Sequence, residues 1–136
     1  MPCHKSKRLL LVAGVLALAF MCMGCGANAF DTASPAWIQV PIDSVETSAL
    51  QTEADGGHRV GLLDPTQVAF DFLDQKLAIP GSTVSNVEDK KQRNGQCNVT
   101  LGLQDGRTIQ LVLQQPVHKD ATGIWCVHKY RFLTKE

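Results

Sequence analysis

The sequence predicts an α+β fold: one helix packed on a curved antiparallel sheet of about four meandering strands, preceded by a signal peptide and a polar leader. Three observations predict it. An apolar stripe at three-and-four spacing opens at Asp64-Pro65. The apolar period then changes to two after Pro80-Gly81. Two tight-turn dipeptides, Asn94-Gly95 and Asp105-Gly106, separate the alternating runs.

The chain begins with Lys5, Lys7 and Arg8 and no acid, and Leu9 to Met23 then runs without a charged residue. Fifteen apolar residues suit a signal-peptide core and fall short of the about 20 that cross a bilayer. Two cleavage readings follow. Ala27-Asn28-Ala29 offers a small-x-small site with the cut before Phe30, which gives a secreted product. Cys22-Met23-Gly24-Cys25 instead resembles a bacterial lipobox, differing from it at Cys22, where an aliphatic residue is usual. That resemblance implies lipidation of Cys25 and partnership with the membrane, two acyl chains being enough for stable anchoring. Residues 1–24 are then the signal peptide and Cys3 and Cys22 are discarded with it.

Without residues 1–24 the net charge is −3, which is unsuited to phosphate backbones and excludes nucleic acid as a partner. The charge is uneven. Residues 26–63 carry five acids and one base, Arg59, with sparse apolar residues, and residues 25–63 read as a largely disordered tether. Trp37-Ile38-Gln39-Val40 is the exception, a segment expected to pack loosely on its own domain, with an added edge strand or a partner-binding segment as the alternatives. Residues 64–136 carry a net charge of +1 and can build one modest core.

Within that core region, Asp64 is the expected cap, Pro65 the first helical residue and Gln67 the closing member of a capping box. Val68, Ala69, Phe72, Leu73 and Leu77 make the apolar face; Asp71 and Asp74 face water, and Pro80-Gly81 stops the helix. Thr83 to Gln92 is the first strand. Cys97, Val99, Leu101 and Leu103 alternate along the second. Thr108 to Gln114 is the third, with Ile109, Leu111 and Leu113 on one face, and Ile124 to Leu133 is the fourth, after a polar loop from Gln115 to Gly123.

This order resembles a reduced cystatin-like or NTF2-like domain. Gln115-Pro116-Val117 followed by Gly123-Ile124-Trp125-Cys126-Val127 is similar to the end of small bacterial lipoproteins and secreted proteins, and Leu50 to His58 with Leu63-Asp64-Pro65 resembles the entry to the same domain. The resemblance implies a fold and a compartment outside the cytoplasm, and no activity.

Chemistry-bearing residues are few. Cys97 and Cys126 fall on the second and fourth strands, about 9–10 Å apart in a meander, too far for a disulfide. His58, His118 and His128 lack metal-ligand spacing, so no metal or cofactor is expected. No glycine-rich phosphate loop is present, Gly56-Gly57 being a lone pair and a weak signal, and Asn98-Val99-Thr100 is a chance sequon on a strand. Trp125 and Tyr130 take opposite faces of a regular last strand, leaving one of them exposed as a candidate ligand anchor. No catalytic residue stands out. The leading expectation is a non-catalytic, membrane-tethered binding or accessory module with an envelope protein or the cell wall as partner. One alternative is a small NTF2-like enzyme or ligand carrier, with a pocket between helix and sheet containing a carboxylate or histidine. Another is an assembly partner that lends an uncharged strand edge.

Overall fold

The computed structural model describes residues 35–133. The signal-peptide run, both cleavage sites and Cys25 lie outside the described residues. The fold is α+β, with two helices where one was expected and five strands where about four were expected. The elements are β1 (Ile38–Gln39), α1 (Ser44–Asp55), α2 (Pro65–Lys76), β2 (Val84–Gln92), β3 (Gln96–Leu103), β4 (Thr108–Gln114) and β5 (Cys126–Leu133). Single 3₁₀ turns occupy Val60–Leu63 and Gly81–Thr83.

The sheet is antiparallel in the order β1-β5-β4-β3-β2, so the four main strands meander as expected and β1 is added outside β5. Alternation decides the faces. Cys97, Val99, Leu101 and Leu103 of β3, with Ile109, Leu111 and Leu113 of β4, are buried against α2. Gly95 and Gly106 supply the positive φ of the two turns, at 73° and 90°.

α2 forms where its stripe predicts. Asp64 caps it by accepting the Thr66 N–H at 2.9 Å, and Pro65 sits in its first turn. Val68, Ala69 and Leu73 face the sheet, and burying Leu73 fully contributes about 2 kcal/mol. Two details differ from expectation. The capping box stays open: the Asp64 N–H donates to the Gly61 carbonyl at 3.2 Å, and the Gln67 side chain reaches forward, donating to Asp71 at 2.9 Å. The helix also ends at Lys76, ahead of Pro80, where Ala78 turns left-handed (φ 52°) and Ile79 donates to the Leu73 carbonyl.

The larger difference lies in residues 38–63, expected to be a disordered tether. They contribute β1, α1 and a 3₁₀ turn, and the described residues cluster as one compact unit. Asp43 caps α1 by accepting the Val45 and Glu46 N–H groups. Gly57 (φ 80°) ends it, with His58 N–H reaching back to the Glu53 carbonyl, so the glycine pair is a helix stop and not a phosphate loop. The buried face of α1 is Thr47, Gln51 and Ala54, while Val45 is 79% exposed. A search for apolar periodicity passes over such a helix, because its attachment is polar.

That attachment is a clamp built from the Gln51 amide. Its Oε1 accepts the buried Ile124 N–H at 3.0 Å, and its Nε2 donates to the Thr122 carbonyl and to Asp55 Oδ1, each at 2.8 Å. A second buried amide, Gln115, organises the β4–β5 loop by donating to the carbonyls of Asp120 and Gly123 at 2.6 and 2.9 Å. Gly123 has no room for a side chain: an added Cβ would lie 1.7 Å from the His118 carbonyl oxygen. Among the described residues, no buried side-chain polar atom lacks a hydrogen-bond partner.

Candidate functional site

The two helices leave a groove of about 240 Å³ between them, floored by the start of β5. The segment joining β1 to α1 supplies Val40, Pro41, Ile42 and Asp43 to its wall; α1 supplies Glu46, Thr47 and Leu50. α2 supplies Val68, Asp71, Phe72, Gln75 and Lys76, and the floor is Cys126 and Val127. The lining is therefore apolar at the bottom, with Asp43, Glu46, Asp71 and Lys76 as its charged groups. Asp71, expected to face water, is half-buried here, whereas Asp74 is exposed. Thr47 is not a free hydroxyl, because it donates to the Asp43 carbonyl at 2.7 Å.

The nucleophile nearest to this floor is the Cys126 thiol. Burial, assisted by the negative charge of Glu46, pushes it up to about 11. It is a protonated thiol at neutral pH and a poor nucleophile. Cys97, fully buried on β3, is pushed up as well, chiefly by burial and then by Asp89. β4 lies between the strands of the two cysteines, and both are free thiols.

Trp125 and Tyr130 are not where a regular strand would put them. β5 carries a bulge: Val112 pairs with Lys129 and Leu113 with Val127, leaving His128 as the extra residue. The bulge flips the alternation, so Trp125, Val127, Tyr130 and Phe132 all belong to the core cluster on the helix-facing side. Trp125 is buried. Tyr130 is half-buried, edge-on to Phe72 at 5.3 Å and to Phe132 at 6.0 Å. Neither lines the groove.

The aromatic residue on the opposite face of the sheet is Trp37, whose ring lies under the cations of Lys129 and Arg131 at 4.9 and 4.3 Å. The histidines are dispersed. His58 and His118 are exposed, His118 lying 3.7 Å from Asp55, and the His128 carbonyl accepts the Val40 N–H. No group of three metal-ligating side chains occurs among the described residues.

Sequence reasoning missed the groove because half of its wall comes from residues 40–50, assigned to the tether. It also missed Gln51, which builds that wall without lining it. The available signal was the spacing Thr47, Gln51, Ala54, a helical stripe of polar and small residues. Comparisons with family models, with curated proteins and with solved structures find no match to this chain.

Proposed function

We propose that this chain is a non-catalytic binding module of the cell envelope, held at the membrane outside the cytoplasm by a lipid on Cys25, and that the groove between α1 and α2 is where it takes its ligand. The observation that carries the binding reading is the chemistry of the groove. It has an apolar floor, charged groups along its walls, no histidine and a thiol kept protonated by burial. Such a surface holds a ligand by burial and charge, and it lacks a paired nucleophile and base. The anchor reading rests on the basic start, the uncharged run of fifteen residues and Gly24-Cys25 directly after it. The reduced cystatin-like or NTF2-like resemblance is compatible with this arrangement.

The second reading, a small NTF2-like enzyme or carrier, draws on the carboxylates of Glu46 and Asp71 in the groove. The lending of a strand edge has less support. One edge of the sheet is β2, which carries Glu88, Asp89, Lys90 and Lys91 in succession, and the other is the two-residue β1; a charged edge and a very short one both oppose pairing with another strand.

Intact-mass measurement on the membrane fraction tests the anchor. A diacylglyceryl adduct on a chain beginning at Cys25 is expected, and a soluble product beginning at Phe30 would overturn it. For the groove, Leu50→Trp is expected to abolish co-purification of membrane partners while leaving the fold intact. Unchanged recovery of every partner by this variant would sink the groove as the binding site.

A further inference from the structure

A second cavity, of about 400 Å³, lies at the end of the sheet that carries the β2–β3 turn. Trp125 and Leu63 line it, and three cationic side chains surround it: Lys91 from the end of β2, Arg93 from the turn, and Lys119 from the β4–β5 loop. The backbone enforces this convergence. Gln115 N–H donates to the Gly95 carbonyl at 2.9 Å and ties the loop to the turn. The stem of Lys119 packs over Gly95, where an added Cβ would come within 2.9 Å of its Cγ. Lys91 pairs with Cys97 and so shares the helix-facing side of the sheet with Trp125.

The lining of this cavity carries a net positive charge, three cations against one carboxylate. Its one carboxylate, Asp120, is turned to its own loop, where Oδ1 accepts the Thr122 hydroxyl at 2.6 Å and the Thr122 N–H at 2.8 Å. These hydrogen bonds hold Asp120 below the usual carboxylate range. The ion pairs among the described residues join Arg59 to Glu53, Arg107 to Asp105 and His118 to Asp55, and none involves the three cations. Cations gathered around one concavity repel each other and focus a positive field into it.

We propose that this cavity binds a small organic phosphate, with Lys91, Arg93 and Lys119 holding the phosphate and Trp125 supporting the organic part. Arg93 offers a planar fork for two phosphate oxygens, and the two lysines act as point charges. The volume falls in the range of small-molecule sites, about 300–1,000 Å³. The site is separate from the groove and does not depend on the reading given to it. A soluble phosphate ester and a phospholipid headgroup would present the same chemistry.

Trp37→Phe leaves Trp125 as the single tryptophan of the two in the chain, so emission reports this cavity alone. The full-length variant in zwitterionic detergent is titrated with glycerol 3-phosphate, with glycerol as the uncharged control. A parallel arm compares vesicles of phosphatidylglycerol with vesicles of phosphatidylcholine. A saturable change with glycerol 3-phosphate is expected, absent with glycerol and weakened by added salt. Arg93→Ala and Lys119→Ala should each weaken it about tenfold or more, as loss of a charge-assisted hydrogen bond implies, and Arg93→Lys should restore part of it. These side chains are exposed, so the variants should keep the melting temperature of the parent. If only phosphatidylglycerol vesicles give the charge-dependent change, the phosphate belongs to a lipid headgroup and the site stands. No saturable change with either phosphate source would overturn the site. So would a change that glycerol reproduces, or one that survives replacement of all three cations by alanine.

Discussion

α1 and α2 have the same length, twelve residues, and each is opened by an aspartate that accepts backbone N–H groups. They are held to the rest of the molecule by opposite means. α2 presents Val68, Ala69 and Leu73 to the sheet and is attached by burial of apolar surface. α1 presents Thr47, Gln51 and Ala54 and is attached through one amide that closes two hydrogen bonds to the β4–β5 connection and a third back to its own Asp55. The difference matters for stability. An apolar contact degrades in proportion to the area lost, whereas a buried amide clamp fails as a unit and leaves Ile124 N–H without a partner. Because α1 forms one wall of the groove, the candidate site depends on the more brittle of the two attachments.

The largest effect is expected at α2. Leu73→Ala should cost about 2–5 kcal/mol in denaturant unfolding, since the side chain is fully buried and the cavity cannot collapse completely. The loss should be global, reported alike by far-UV dichroism and by tryptophan emission. Next comes Gln51→Leu, similar in size but unable to satisfy Ile124 N–H, with an expected cost of about 1–3 kcal/mol. Here the two probes should part, α1 loosening before the sheet unfolds. Coincident transitions would mean that α1 is no more separable than α2.

How much of this was legible in the sequence follows from the same contrast. α2, the four meandering strands and both glycine turns announce themselves through apolar period and turn chemistry, and the structure has them within a residue or two at most ends. α1 did not, because its contacts are amide-to-backbone bonds, and β1 was legible only as one of the readings of Trp37-Ile38-Gln39-Val40, an added edge strand. Neither leaves a periodic apolar trace. The bulge at His128 was equally silent, and it moved Tyr130 into the core. The candidate groove was half legible: Phe72, Val127 and Cys126 were assigned to the domain, while Glu46 was not and Leu50 entered it only through the resemblance. The Gln115-Pro116-Val117 and Gly123-Ile124-Trp125 segments acquire a physical reason, since the Gln115 amide and the absent Gly123 side chain shape one loop.

Smaller effects sharpen the comparison. Asp43→Ala and Asp64→Ala each remove one helix cap, worth about 1 kcal/mol. The first should loosen α1 alone, and the second should lower the stability of the whole domain. Nuclear magnetic resonance order parameters for the two helices separate these outcomes. The Cys126 thiol adds a pH dependence. An unfolded thiol titrates near about 8.5, and in the fold the group is pushed up to about 11. The folded state therefore holds its proton more tightly. The associated stability is present below about pH 8.5 and is lost as pH rises through about 11. Alkylation of Cys126 by iodoacetamide should be slow at neutral pH and keep accelerating up to about 11, without levelling off near the ordinary thiol value. Rapid labelling at pH 8 would contradict a thiol that partial burial and Glu46 keep protonated.

Hydrogen exchange followed by mass spectrometry tests the central claim most directly, that residues 44–55 are a docked wall of the site and not a free tether. In the intact chain, backbone amides of this segment should exchange slowly, at rates comparable with those of 65–76. In Gln51→Leu, protection of 44–55 should fall while that of 65–76 persists. Unprotected exchange across 44–55 in the intact chain would contradict the account and return this segment to the tether.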